Sequence, residues 1–193
     1  MICQSQNKGE NIFSKEGISK ITIDGNQIFN IKVEAIETDE VKIFSLTDGE
    51  YQDDFRVFSE LKEETLNIRL LRSPFYNKPD DKRNAHKVIA ATLKILLPKN
   101  QNLSIISDVG SVNLEGHFNT LFVQLREGHF KLKGQAKSVT VNTIEGGIYI
   151  VTSEANIEAE SSYGKVDIAE ILTGKHHWKL KSIHGNITAV IQE

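Results

Sequence analysis

Aromatic residues, prolines, cysteines and long apolar runs are all scarce in this chain of 193 residues. A single cysteine, Cys3, has no partner for an internal disulfide, so cysteine usage assigns no compartment. No apolar run approaches the roughly 18 residues of a membrane-spanning helix, so no transmembrane segment is expected. Basic residues are not in excess. A formal charge of −3 argues against wholesale binding of nucleic acid or of anionic membranes. The opening Met1-Ile2-Cys3-Gln4-Ser5-Gln6-Asn7 leaves no room for the charged and apolar regions of a complete signal peptide. Aromatics reach only 7%, and Ile, Val and Leu supply most of the apolar mass, which favours strands over a helical bundle.

Catalytic signatures are missing too. There is no G-x-S-x-G, H-E-x-x-H or phosphate-loop run, and no recurrent acid pair shares an outward column with an arginine. Arg126 is the only arginine after residue 100. The expectation is a non-enzymatic protein with no cofactor and no metal.

What the chain does have is a fixed period. Gly110, Gly128, Gly146, Gly164 and Gly185 stand 18, 18, 18 and 21 residues apart. Two positions after each glycine come Val112, Phe130, Ile148, Val166 and Ile187, and four after it Leu114, Leu132, Ile150, Ile168 and Ala189. Seven and five positions before it stand further apolar residues, Trp178 among them; three before it the column turns small and mostly polar (Ser107, Leu125, Thr143, Ser161, Ser182). Alternation at period 2 is a strand with one buried face. Each repeat therefore predicts two short strands joined by a tight corner at glycine, with equivalent residues of successive repeats stacked roughly 4.8 Å apart.

The expected fold is all-β: a single-chain parallel β-solenoid, or β-helix, of about 18 residues per rung. The left-handed hexapeptide helix is excluded because Val112 and Phe118 are followed, at the same spacing, by Gln124. The calcium-loaded roll is excluded because its G-G-x-G-x-D motif is missing. Right-handed crossovers are preferred on general grounds. In this register Glu158 and Glu160 lie beside Lys179 and Lys181.

Upstream, from residue 17 to 97, alternation persists without the period, and turn signals such as Asp24-Gly25-Asn26 separate the runs. The division is a flexible N-terminus over 1–16, an irregular β region over 17–97 that caps the solenoid, and regular rungs over 98–193. Residues 34–64 hold eleven acids, including Glu50, Asp53 and Asp54, against three bases. With no D-x-D-x-D-G loop this reads as a solvated face rather than a calcium site. The segment 72–86, with two prolines and mixed charge, reads as a loop.

The one break in the period falls around Leu172-Thr-Gly-Lys-His-His177, and insertions in repeat proteins map to loops on the binding face. Lys175, His176, His177 and Lys179 form the candidate ligand patch. Trp178 shares the inward column of Leu121 and Ile157, which assigns it to the core. The adjacent histidines point to opposite faces of a strand, a poor arrangement for one metal.

The phrases Val109-Gly110-Ser-Val-Asn-Leu, Glu127-Gly128-His-Phe-Lys-Leu, Glu145-Gly146-Gly-Ile-Tyr-Ile, Tyr163-Gly164-Lys-Val-Asp-Ile and His184-Gly185-Asn-Ile-Thr-Ala resemble the repeats of the bacterial putative-adhesin, β-strand-repeat families of cell-envelope proteins. Those repeats often read Ser-Gly-Asp-Val-x-Leu, a form this chain departs from at every repeat. The resemblance implies a non-enzymatic, extracytoplasmic, adhesin-like structural or interaction module whose partner is a protein or polysaccharide at the cell surface. The alternative is a carbohydrate-binding or polysaccharide-processing β-helix. A further expectation is end-to-end self-association through an uncapped last rung, Ile187–Ile191.

Overall fold

The computed structural model of the chain describes residues 7–48, 55–72, 90–170 and 174–192. Residues 1–6, the acids Glu50, Asp53 and Asp54, nearly all of the 72–86 segment, and Leu172 and Thr173 lie outside the described residues. The described chain is all strand and turn. In order come β1 (Asn7–Ser14), β2 (Lys20–Asp24), β3 (Ile28–Ile36), β4 (Glu40–Asp48), β5 (Phe55–Lys62), β6 (Thr65–Arg72), β7 (Ala90–Pro98) and β8 (Asn102–Ser107). The repeats supply β9 (Ser111–Glu127), β10 (Phe130–Glu145), β11 (Ile148–Thr152), β12 (Asn156–Ser161), β13 (Val166–Ile168), β14 (His177–Ser182) and β15 (Ile187–Ile191).

These strands overturn the expected regular parallel β-solenoid. They form one 15-stranded sheet in which antiparallel pairs join parallel ones. β1 pairs antiparallel with β4, β4 with β7, and β5 with β6. The reason lies in the first half of the chain: β5 and β6 form a hairpin, and residues 37–39 reverse the chain between β3 and β4, so β4 runs against β7, to which β3 is parallel. At the β5–β6 turn, Lys62 faces Thr65, and Glu63 and Glu64 both take positive φ (47° and 61°).

In the repeats, the 18-residue period does set the pairing. β10 lies parallel to β9 with Phe130 opposite Val112, Leu132 opposite Leu114 and Val141 opposite Val123. Two parallel ladders result. One runs β7-β3-β9-β10-β11-β15-β13, the other β6-β2-β8-β9-β10-β14-β12, and the long β9 and β10 belong to both. Their inward residues, among them Ile21, Leu93, Val123, Phe130, Ile150 and Leu180, form one buried cluster.

Taken in stacking order, seven tiers each contribute one strand to either ladder: β6 with β7, β2 with β3, β8 with the start of β9, the end of β9 with the start of β10, the end of β10 with β11, β14 with β15, and β12 with β13. The chain does not visit them in that order. It fills the second tier before the first and the seventh before the sixth. β14 enters between β10 and β12, and β15 between β11 and β13. Ile187–Ile191 is thus an interior strand rather than an uncapped end. The predicted pairing of Glu158 with Lys179 and Glu160 with Lys181 is present, because β14 borders β12 under either ordering.

The corner glycines explain why the tiers stay in register. A Cβ on Gly128 would lie 2.0 Å from the carbonyl oxygen of Gly110, and one on Gly146 would lie 1.8 Å from that of Gly128. Gly185 meets the oxygen of Gly146 in the same way at 1.9 Å, and Gly164 that of Gly185 at 2.2 Å, which repeats the stacking order of the tiers. The hydroxyl column three positions earlier serves these corners. Ser161 Oγ donates to the Gly185 carbonyl (2.8 Å) and accepts from the Gly164 N–H (2.9 Å), while Ser182 Oγ accepts from the Gly185 N–H (2.8 Å).

Two outcomes follow. Gly128→Ala combines positive φ (109°) with a backbone clash and is expected to destabilise the protein by at least about 3 kcal/mol in urea unfolding. Replacing Glu63-Glu64 with Asn-Gly suits the left-handed turn and is expected to stabilise by about 1 kcal/mol, seen as a raised urea midpoint.

Candidate binding surface along the glycine column

Lys175 and His177 are exposed and His176 is half-buried at the entry to β14. His177 sits between Ser138 and Asn156 in the ladder, with its Nδ1 3.3 Å from Asn156 Nδ2, while the His176 carbonyl accepts from the Asn156 N–H (2.8 Å). Lys179 is two residues further along the same outward face, with its Nζ 4.0 Å from Glu158. The structure therefore spreads these four residues along one strand and its approach rather than gathering them round a pocket. Trp178 is 1% exposed, as its column position predicts, and its Nε1–H donates to the Ala136 carbonyl (3.0 Å).

Concave surface lies elsewhere, and two grooves flank the glycine corner. On one side a groove of about 410 Å³ runs across four tiers. Its outward side chains are Gln124, Asn142, Lys181 and Glu160, one from each successive tier, and Ile144 and Ile183 supply its apolar part. Both isoleucines are exposed, at 43% and 40%, although they sit beside polar neighbours. Backbone bonds carry the ladder round this corner: the Ile183 N–H donates to the Thr143 carbonyl (3.1 Å), and the Tyr163 N–H to the Ile183 carbonyl (2.9 Å).

Immediately beside the groove, Tyr163 and His184 stack, with ring centroids 4.9 Å apart and planes 8° from parallel. That separation matches the roughly 4.8 Å between neighbouring strands, so the stack is a direct product of the tier spacing. Tyr163 is 78% exposed. Lys181 Nζ contacts Glu160 at 2.9 Å, and this hydrogen bond and the attraction of the carboxylate raise the amine above its ordinary value.

On the other side of the corner a second groove of about 430 Å³ is lined by Asn113, His129, Lys131, Tyr149, Asn186 and Thr188, among others. Gly147 also lines it, on the tier between those of His129 and Asn186. Lys131 Nζ lies 5.5 Å from the centroid of the Tyr149 ring, a cation–π contact.

Reasoning from sequence missed Lys181, Glu160, Tyr163, His184 and Tyr149 as surface-site residues. Their signal lies in the outward columns four and one positions before each glycine and three after it, and not in the anomaly in repeat length.

In fold, the chain is similar to a solved structure described as a putative cell adhesion protein of Clostridium sporogenes. The match covers 97% of this chain and 100% of that one, at 15% identity and a TM-score of 0.67. A structure described as a putative adhesin of Bacteroides fragilis matches over 98% of this chain and 100% of that one, at 14% identity and a TM-score of 0.44. No protein-family model and no curated protein sequence matches the chain.

The Lys181–Glu160 pair gives a pH signature. A raised lysine contributes stability that is present below its ordinary range and is lost as pH climbs through the raised value. Glu160→Gln is expected to remove that alkaline dependence and return the Lys181 Nζ titration, followed by NMR, to the ordinary lysine range.

Proposed function

We propose that this protein is a non-enzymatic, extracytoplasmic, adhesin-like interaction module that binds an extended polysaccharide along the groove beside its glycine column. The observation that carries this reading is the line of polar side chains, Gln124, Asn142, Lys181 and Glu160, beside the exposed isoleucines and the exposed Tyr163–His184 stack. Four tiers spaced at the sheet distance span roughly 14 Å. A polymer lying across the strands meets a new hydrogen-bonding group at every tier. Sugar rings have apolar C–H faces and polar rims, and the groove pairs apolar surface with polar side chains in the same way. Exposed apolar and aromatic surface clustered next to polar groups marks an interaction site. The fold likeness to a protein described as a putative cell adhesion protein agrees with this reading and with a cell-surface location.

The reading is tested by presenting wild-type protein and two variants to an immobilised glycan panel. Tyr163→Ala with Lys181→Ala is expected to weaken binding to the preferred neutral glycan at least tenfold. Lys175→Ala with His177→Ala is expected to bind as wild type. Absence of glycan binding by the wild type, or loss confined to the second variant, refutes the assignment.

A further inference from the structure

The second groove contains an irregularity in an otherwise uniform hydrogen-bonding column. The column comprises Ser111, His129, Gly147, Asn186 and Lys165, one residue from each of five consecutive tiers. In it the last four carbonyls accept from the tier below: His129 from the Val112 N–H (2.8 Å), Gly147 from Phe130 (3.0 Å), Asn186 from Ile148 (2.8 Å) and Lys165 from Ile187 (2.8 Å). The amides face the same way and are capped by side chains. The His129 N–H donates to Ser111 Oγ (3.4 Å), the Gly147 N–H to His129 Nδ1 (3.1 Å) and the Lys165 N–H to Asn186 Oδ1 (2.8 Å).

Asn186 is the exception. Its carbonyl faces the tier of Gly147 as the pattern requires, but Gly147 has no side chain to cap its N–H. Among the described residues nothing accepts a hydrogen bond from that amide. Backbone conformation does not require glycine here, since Gly147 lies outside the left-handed region. The missing side chain is therefore a gap in the wall, with the Asn186 N–H aimed into it.

The groups round the gap are donors. His129 accepts at Nδ1, so its neutral ring carries its proton on Nε2, facing away from the backbone. Lys131 brings a positive charge, Asn113 and Thr188 bring neutral polar groups, and among the described residues no carboxylate lines the groove. A fixed N–H with a lysine and a ring N–H beside it suits an anionic oxygen, because charge-assisted bonds to such an acceptor are the strong ones.

We propose that the Gly147 notch receives the carboxylate of an acidic saccharide. The Asn186 N–H is its fixed donor, the His129 Nε2–H and the Lys131 ammonium flank it, and Tyr149 forms the apolar wall for the sugar ring. The sugar part of this assignment rests on the polysaccharide reading above, whereas the carboxylate part rests on the notch.

The test is a titration of the full chain with sodium D-glucuronate, D-glucose or sodium acetate, followed by amide NMR. Glucuronate is expected to shift the Asn186 amide saturably, with D-glucose and acetate each at least tenfold weaker. Gly147→Ser gives the Asn186 N–H the hydroxyl cap that Ser111 gives the His129 N–H and should weaken glucuronate at least tenfold. A Cβ there would sit 3.2 Å from the Asn186 oxygen, so Lys131→Met, which leaves the backbone ladder untouched, serves as the second variant and should weaken it severalfold. Equal binding of D-glucose or acetate, or glucuronate binding unchanged in both variants, overturns the proposal. Tyr163→Ala should leave the glucuronate titration unchanged, so failure at the notch and failure of the neutral-glycan groove are separable.

Discussion

The contact on which the rest depends is a backbone contact. At the corners of Gly128, Gly146, Gly185 and Gly164 the glycine Cα lies over the carbonyl of the glycine beneath it, at a distance that admits no Cβ. The contact fixes how far neighbouring tiers are offset. With the offset fixed, an inward residue of one tier meets the inward residue of the next, and Val112, Phe130, Ile148 and Ile187 form one buried file. Burial of such side chains contributes about 1.5–3 kcal/mol each relative to exposure, but only while the register holds. A slip of one residue would turn each of these side chains towards solvent. The serines and threonine of the hydroxyl column belong to the same arrangement, since they bond corner groups that would otherwise be buried without partners.

The period made much of this legible. Strand positions, inward columns, the burial of Trp178 and the Glu–Lys neighbours all follow from aligning the glycines, because side-chain direction alternates strictly along a strand. The order of the tiers was not legible. Any repeat with the same apolar columns fits beside any other, so local pattern is nearly indifferent to whether 156–168 or 177–191 lies against β10 and β11. The connection that decides it, between β13 and β14, carries no periodic signal. The antiparallel strands were hidden for a related reason: β4 alternates as Val41-Lys42-Ile43 does in any half-buried strand, and alternation is blind to strand direction.

The binding surface was legible only in part. The alignment placed Lys181 and Glu160 on the outside, but outward positions outnumber functional ones, and nothing in one dimension picks out Gln124, Asn142, Lys181 and Glu160 as a line. They come from four tiers and become neighbours only when stacked. The Gly147 gap is a sharper case. In the alignment the residue after each corner glycine reads Ser111, His129, Gly147, Lys165 and Asn186, and the lone glycine has no meaning until the hydrogen bonds show that its neighbours cap the tiers above them.

The displaced order of the last tiers has a consequence for how the molecule comes into being. Among the described residues β12 pairs only with β14, and β13 only with β15. Residues 156–168 emerge from the ribosome first, yet they have no ladder partner until 177–191 follow. Once β7 has entered between β3 and β4, tier-by-tier docking in the order of synthesis works as far as β11 and then stops. The final two tiers must close together as one cooperative event, in which a later segment threads between surfaces that are already made. Contacts of this kind are slow to form, and until they do, the apolar side of β11 remains open to other chains.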